Sequence, residues 1–302
     1  MNNHTKNALF LLVATGWFPH ALAQPAPDSS LGTSIEQKSP ESEYQMARDL
    51  LKGNGGDEAA KKGFQMMLNA ANQGHLPAIA GVAYLYSVGK GTPKDNAATA
   101  KWYRLAAEKE HAISRYNLGK LLVAAEIPLP EGTADRKTQR DEGVEWIRKA
   151  ADQGLDHAQA TYGIILLRGD LEIKSDPAAA AEYLKLAAEA GNLEAMNALG
   201  IMHRTGNGVT RDRSASEQLL RRAAMAGHVK AQANLGNFLD PSSKNPDKRI
   251  EALAWLFIAE EANDSLAKNI LTIKLQATSP DDVAAGKKKA NEIQLKISEA
   301  KK

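Results

Sequence analysis

The chain has 302 residues, of which 43% are hydrophobic but only 5% aromatic, and its formal net charge at pH 7 is +2. A nearly neutral chain with no global basic excess does not read as a nucleic-acid binder, and large side chains are too few to fill one wide globular core. There is no cysteine, which excludes a disulfide framework, a cysteine nucleophile, thiolate metal sites and the lipid-bearing cysteine of a lipoprotein anchor.

At the N-terminus, Lys6 precedes an apolar run from Ala8 to Phe18, and Ala21-Leu22-Ala23 follows as an A-x-A cleavage signature. The pattern predicts a secretory signal over residues 1–23, with Gln24 as the first mature residue. The run is too short to span a bilayer as a helix, and no other stretch is long and apolar enough to do so. Residues 24–40 are rich in proline, serine and polar groups and read as a flexible tether. The mature protein is expected to be exported, periplasmic or extracellular, and not lipid-anchored.

Beyond the tether the sequence repeats. Alanine pairs recur at Ala70-Ala71, Ala106-Ala107, Ala150-Ala151, Ala187-Ala188 and Ala223-Ala224, with gaps of 36, 44, 37 and 36, and Ala259-Glu260 continues the series. A glycine closes four of these segments at Gly74, Gly154, Gly191 and Gly227, with Glu110 in the same place once. The glycines of Leu118-Gly119, Leu199-Gly200 and Leu235-Gly236 each lie thirteen residues after an alanine pair begins. Tyr162-Gly163 fills that place in another copy, and Val82-Ala83 and Met46-Ala47 in the first two. A large residue stands four before each pair: Met66, Trp102, Trp146, Tyr183, Leu219 and Trp255.

Each copy therefore predicts two helices. Helix A carries Leu-Gly and ends at a G-x-G turn, as at Gly53-Asn54-Gly55, Gly89-Lys90-Gly91 and Gly206-Asn207-Gly208, where glycine permits a positive φ. Helix B starts after a capping aspartate, Asp95 or Asp212, and carries the large residue and the alanine pair. Glycine or alanine inside helix A costs helix propensity, which is tolerated where a neighbouring helix leaves no room for a side chain. Gly200 is expected at the seam between the fourth and fifth copies. A lone unit cannot bury its apolar face, so stability must come from stacking.

The run Leu199-Gly200, Gly206-x-Gly208-Val209, Asp212 and Ala223-Ala224-x-x-Gly227 resembles the Sel-one-like repeat, a relative of the tetratricopeptide repeat. So does Tyr86, Gly89-x-Gly91, Asp95, Trp102-Tyr103 and Ala106-Ala107. The resemblance covers residues 41–265 and implies an all-α fold, a right-handed α-α superhelix or solenoid of about six two-helix repeats. The copies fall near 41–76, 77–112, 113–156, 157–193, 194–229 and 230–265. The third departs by an eight-residue insertion around Ile127–Arg140, the fourth keeps Gly169 but loses the second glycine, and the last has Asp240-Pro241-Ser242-Ser243 in place of G-x-G.

Residues 266–302 read as a capping helix pair. Asp264 to Leu275 makes one helix, and Ser279-Pro280-Asp281-Asp282 is a start signal for another running to about Ala300. Lys287, Lys288 and Lys289 leave one of its faces strongly polar. That suits an exposed cap better than a membrane-surface helix, because Val283, Ile293, Leu295 and Ile297 make a narrow, mixed apolar face.

Little is left for chemistry. His75, His111 and His228 occupy one repeat position and read as structural, as does His203 in the place of Tyr86. No H-E-x-x-H, Gly-Lys-Ser/Thr, full G-x-G-x-x-G or Gly-x-Ser-x-Gly occurs. No catalytic residue, metal ligand or cofactor is assigned, and the chain reads as a scaffold rather than an enzyme. Positions three before, one after and four after the glycine of helix A share a face opposite the seam, the face that lines the concave groove of related superhelical repeats. It carries Tyr44, Arg48, Tyr84, Tyr116, Lys120, Asn197, Arg204 and Asn237, with Ile164, Leu167 and Ile201 near its middle. Tyrosine, arginine and asparagine around an apolar patch make an interface-like mixture. The expected partner is a protein or peptide, with a cell-envelope polysaccharide stacked on Tyr84 and Tyr116 as the alternative. The chain is expected to act as a monomer. Bacterial members of the resembled family often act as envelope scaffolds, and the resemblance implies that class of role.

Overall fold

The computed structural model describes residues 39–125, 135–169, 171 and 173–300. The predicted signal, residues 24–38 of the tether and residues 127–134 of the insertion lie outside that set. The described residues form fourteen α-helices in pairs: α1 (Pro40–Lys52) with α2 (Gly56–Asn72), α3 (Leu76–Val88) with α4 (Asn96–Glu108), and α5 (Ala112–Val123) with α6 (Arg136–Asp152). The series continues as α7 (Asp156–Arg168) with α8 (Pro177–Glu189), α9 (Leu193–Thr205) with α10 (Arg213–Met225), and α11 (Val229–Leu239) with α12 (Pro246–Glu261). After these come α13 (Ser265–Lys274) and α14 (Pro280–Glu299). The architecture is the all-α superhelical repeat that the periodicity predicts.

The alanine pair, the closing glycine and the recurring histidine form one hydrogen-bonded joint. Helix B ends in a residue of positive φ, glycine in four copies and Glu110 or Asn263 in two. The next N–H then returns to the carbonyl of the first alanine: His75 to Ala70, His111 to Ala106, Leu155 to Ala150, Asn192 to Ala187, His228 to Ala223 and Asp264 to Ala259, at 2.9–3.2 Å. The same residue opens the following helix A. His75, His111 and His228 accept through Nδ1 from the third N–H of the helix, and Asn192 and Asp264 accept through oxygen. Leu155 alone among these six makes no side-chain cap. The histidines are thus structural, with a definite task as caps.

Helix A of the second, fourth and fifth copies ends at a left-handed glycine, Gly89, Gly169 or Gly206. Asp95, Asp176 and Asp212 then cap helix B, and their own N–H groups bond the carbonyls of Tyr86, Leu166 and His203. The first copy differs from the G-x-G expectation: Gly53 has an extended backbone at φ −69°, and α2 begins directly at Gly56. Its helix B starts fourteen residues before the alanine pair, against ten for α4, α8 and α10, so helix replaces loop at constant copy length. Helix α6 also starts fourteen before its pair, which places residues 136–140 of the expected insertion inside a helix. In the last copy Asp240 takes φ 65° and accepts from Ser242 N–H, a turn unlike the others. Pro40 opens α1, with Ser39 as cap, rather than closing the tether.

The seam assignment of Gly200 needs correction. A Cβ there would stand 3.0 Å from Leu220 Cγ and 3.4 Å from the Ser216 carbonyl oxygen, both on α10. The close approach is therefore inside the fifth copy. Helix B meets it with a small residue seven before the alanine pair: Gly63, Thr99, Gly143, Ala180, Ser216 or Ala252, all buried. At the C-terminal end α14 packs along α12, with Gly286 against Leu253 and Phe257 and with Ala290, Ile293 and Ile297 buried. Arg249 reaches Asp282 through Nε at 2.9 Å and Nη2 at 3.2 Å, which fastens the start of α14.

Candidate interaction groove

Leu-Gly turns toward helix B, which leaves other faces of α5, α7, α9 and α11 available to line clefts. Two clefts open there. The larger, of about 880 Å³, has a floor of Leu121, Val123, Ile147, Ile164 and Ile165 and is bordered by Ser87, Tyr103, Asn117, Lys120, Thr161, Arg168, Glu194 and Lys230. The smaller, of about 430 Å³, continues along α7, α9 and α11 with Ile164, Leu167, Arg168, Glu194, Asn197, Ala198, Ile201, Lys230 and Asn234, and reaches Asp264 and Leu266. A few polar groups around an apolar floor is the usual composition of a binding cleft.

Of the eleven residues predicted for this face, Lys120 and Ile164 border the larger cleft, and Ile164, Leu167, Asn197 and Ile201 the smaller. The other six do not line either. Tyr44 packs on the ring of His75 at 4.8 Å between centroids, beneath Arg48 at 5.5 Å. Tyr116 lies between α5 and α7, its hydroxyl 3.1 Å from Thr161 Oγ1 and its ring 4.5 Å from Lys120 Nζ. Tyr84 is 57% exposed, Asn237 is exposed and Arg204 half-buried. Asn197 is buried and accepts from Asn234 Nδ2 at 2.9 Å, so its amide ties α9 to α11.

The sequence reading did not single out Asn117, Thr161 and Asn234, two residues before the glycine, nor Glu194 and Lys230, six before, nor Arg168, five after. At 3.6 residues per turn these positions sit roughly 60° around the helix from the face that was mapped. Their shared offset from the glycine, in copies three to six, was the available signal.

Charge in the groove is organised by pairing. Glu194 faces His228 Nε2 at 3.0 Å and Lys230 Nζ at 3.5 Å. Burial alone would raise its pKa, but the His228 bond and the Lys230 charge outweigh that and hold it below the ordinary carboxylate value. Because His228 Nδ1 accepts the cap bond, Nε2 is the nitrogen that donates to Glu194. His75 repeats the arrangement with Glu41 at 2.8 Å. Burial pushes the Tyr103 phenol up, so it remains a neutral hydroxyl at the cleft edge. Among the described residues no group of three or more His, Asp or Glu side chains is placed to share a metal ion, and no helix is long and apolar enough to cross a membrane.

Comparison with known proteins agrees with this architecture. The chain is 26% identical over 238 residues to the chitin synthase regulator SKT5 of Saccharomyces cerevisiae, covering 77% of this chain and 34% of that protein. It is 28% identical over 228 residues to an uncharacterised protein of Neisseria meningitidis, covering 74% of this chain and 43% of the other. It therefore spans less than half the length of these curated relatives. The crystal structure of a Sel1 repeat protein from Oxalobacter formigenes superimposes with a TM-score of 0.60 at 28% identity, over 76% of this chain and 88% of that one. Members of the Sel1 repeat group are generally non-catalytic scaffolds for protein interaction. The Sel1 repeat model matches residues 40–75, 76–111, 131–155, 156–192, 193–228 and 229–264, and with six copies in register the chain belongs to the Sel1 repeat family.

Proposed function

We propose that this protein is an exported scaffold that holds a protein partner in the groove lined by its A helices. The observation that carries this reading is the pair of adjoining clefts, built from successive copies, with isoleucine and leucine on the floor and polar groups at the edge. Replacing Ile164 and Ile201 together by arginine places two charges on that floor. A pull-down from envelope extract is expected to lose the partners that wild type retains, with circular dichroism melts confirming that the variant folds. An unchanged set of partners rules the groove out.

Export is supported by the apolar run Ala8–Phe18 and the Ala21-Leu22-Ala23 signature. The mature chain in the periplasmic or extracellular fraction is expected to begin at Gln24 by mass spectrometry, and a full-length chain found only in the cytoplasm contradicts it. The glycan alternative retains one favourable observation, the exposed ring of Tyr84. Loss of co-sedimentation with insoluble peptidoglycan on Tyr84→Ala is the result that would prefer it.

A further inference from the structure

We infer that the larger cleft takes a linear peptide segment carrying a carboxylate side chain next to a large apolar one. The inference rests on the groove reading and adds the chemistry of its occupant. Among the described residues four charged side chains border this cleft: Lys120, Arg168, Glu194 and Lys230. Glu194 and Lys230 already neutralise each other at 3.5 Å. Lys120 and Arg168 have no carboxylate partner among the described residues, and both are exposed. Among the described residues Lys120 Nζ lies over the ring face of Tyr116, a contact that leaves its ammonium protons open to an anion.

Among the described residues the surplus is thus two cations on the A helices α5 and α7, in a cleft also lined by Leu121, Val123, Ile147, Ile164 and Ile165. Basic residues in the last turn of a helix also answer the helix dipole, but that role needs neither a neighbouring apolar cleft nor the absence of an acidic partner. An ammonium and a guanidinium select an anion, and the guanidinium fork matches a carboxylate in two-point contact. The aliphatic side chains that line the same cleft select apolar carbon in the ligand. A peptide with Glu or Asp beside Leu, Ile or Phe supplies both within one or two residues. An anionic glycan supplies the charge without the apolar side chain.

The test uses pools of short acetylated, amidated, fluorophore-labelled peptides with Glu fixed beside Leu or Phe and the other positions randomised. Matched pools carry Gln or Lys in place of Glu, and labelled oligogalacturonate serves as the anionic glycan. Anisotropy titrations with the mature chain are expected to show the Glu pool binding about tenfold or more tighter than the Gln pool, with the gap closing at high salt. The exposed-surface variant Lys120→Glu with Arg168→Glu is expected to lose the Glu preference and favour the Lys pool, while still melting in a single cooperative transition. Equal binding of the Glu and Gln pools, no binding of any pool, or oligogalacturonate binding as tightly as the Glu pool overturns the inference. The underlying reading is separable. If partner capture survives the charge reversal but is lost in the Ile164→Arg, Ile201→Arg variant, the groove stands and the carboxylate assignment fails. If capture survives both variants, both fail.

Discussion

Gly119 and Gly143 face each other across the α5–α6 contact. A Cβ on the first would lie 2.6 Å from the carbonyl oxygen of the second, and the reverse distance is 2.8 Å. Backbone cannot yield as a side chain can, so Gly119→Ala is expected to cost about 1–3 kcal/mol in urea unfolding. Gly200→Ala, which meets the Leu220 side chain at 3.0 Å and backbone only at 3.4 Å, is expected to cost clearly less. Equal losses would mean that side-chain and backbone neighbours give way alike. His111 yields a pH prediction. Burial holds its pKa below the ordinary 6.5, so the unfolded chain binds the proton more readily than the folded one. Its contribution is therefore complete above about pH 6.5 and is lost as pH falls through the lower folded value. Protonation also removes the Nδ1 acceptor that caps α5. Between about pH 7.5 and 5.5, the melting midpoint of wild type should fall further than that of His111→Asn, which keeps a cap of the kind seen at Asn192. Parallel curves would refute it. At this scale the sequence was legible where bonding is local, as with the Asp95, Asp212 and Ser279 caps. It was not legible at Gly200, because a missing side chain marks a close approach without saying which helix approaches.

The final helix was predicted at Pro280 to about Ala300 and found at Pro280–Glu299, because proline, serine and two aspartates specify its start through adjacent residues. Its packing partner was beyond local reasoning. α14 lies along α12, where Gly286 brings the backbones together. Gly286→Leu is expected to lift α14 away and raise amide exchange in α12 and α14, leaving α1–α4 unchanged by exchange mass spectrometry. A uniform rise along the chain would argue against a separable cap. The extra turn of α2 and of α6 escaped the sequence reading for a related reason. In the first copy helix and loop trade residues while the alanine pair keeps its register, and in the third the insertion itself supplies the added turn.

Across the whole array each copy contacts its neighbours, so stability is a sum of local units and the interfaces between them. Buried apolar side chains of the described residues form one cluster over copies one and two and another running from Ala160 to Ile297. The third copy joins them through small clusters such as Val144, Ile147 and Ile165. Amide exchange is therefore expected to be fastest among regular helices in α5 and α6, before either flank opens. Slower exchange there than in α3 or α9 would contradict the division. The number of copies and their order were legible from the 36-residue period because one marker set survives in each. Less of the cleft lining was: Lys120, Ile164 and Ile201 lie on the predicted face, while Asn117, Thr161 and Asn234 share an offset from the helix A glycine that falls outside it.

The joint in which the last bond of one helix is made by the first residue of the next has a practical consequence for changing the length of the molecule. A cut at a helix boundary severs that joint, whereas a cut from cap to cap does not. Excising residues 192–227 would place His228 directly after Gly191, so that its N–H meets Ala187 as it now meets Ala223. The shortened chain, without α9 and α10, is expected to remain helical and to elute as a single folded species on gel filtration. Such a protein can be lengthened or shortened by whole rungs, and Gly191-Asn192 and Gly227-His228 are the places where a rung can be taken out.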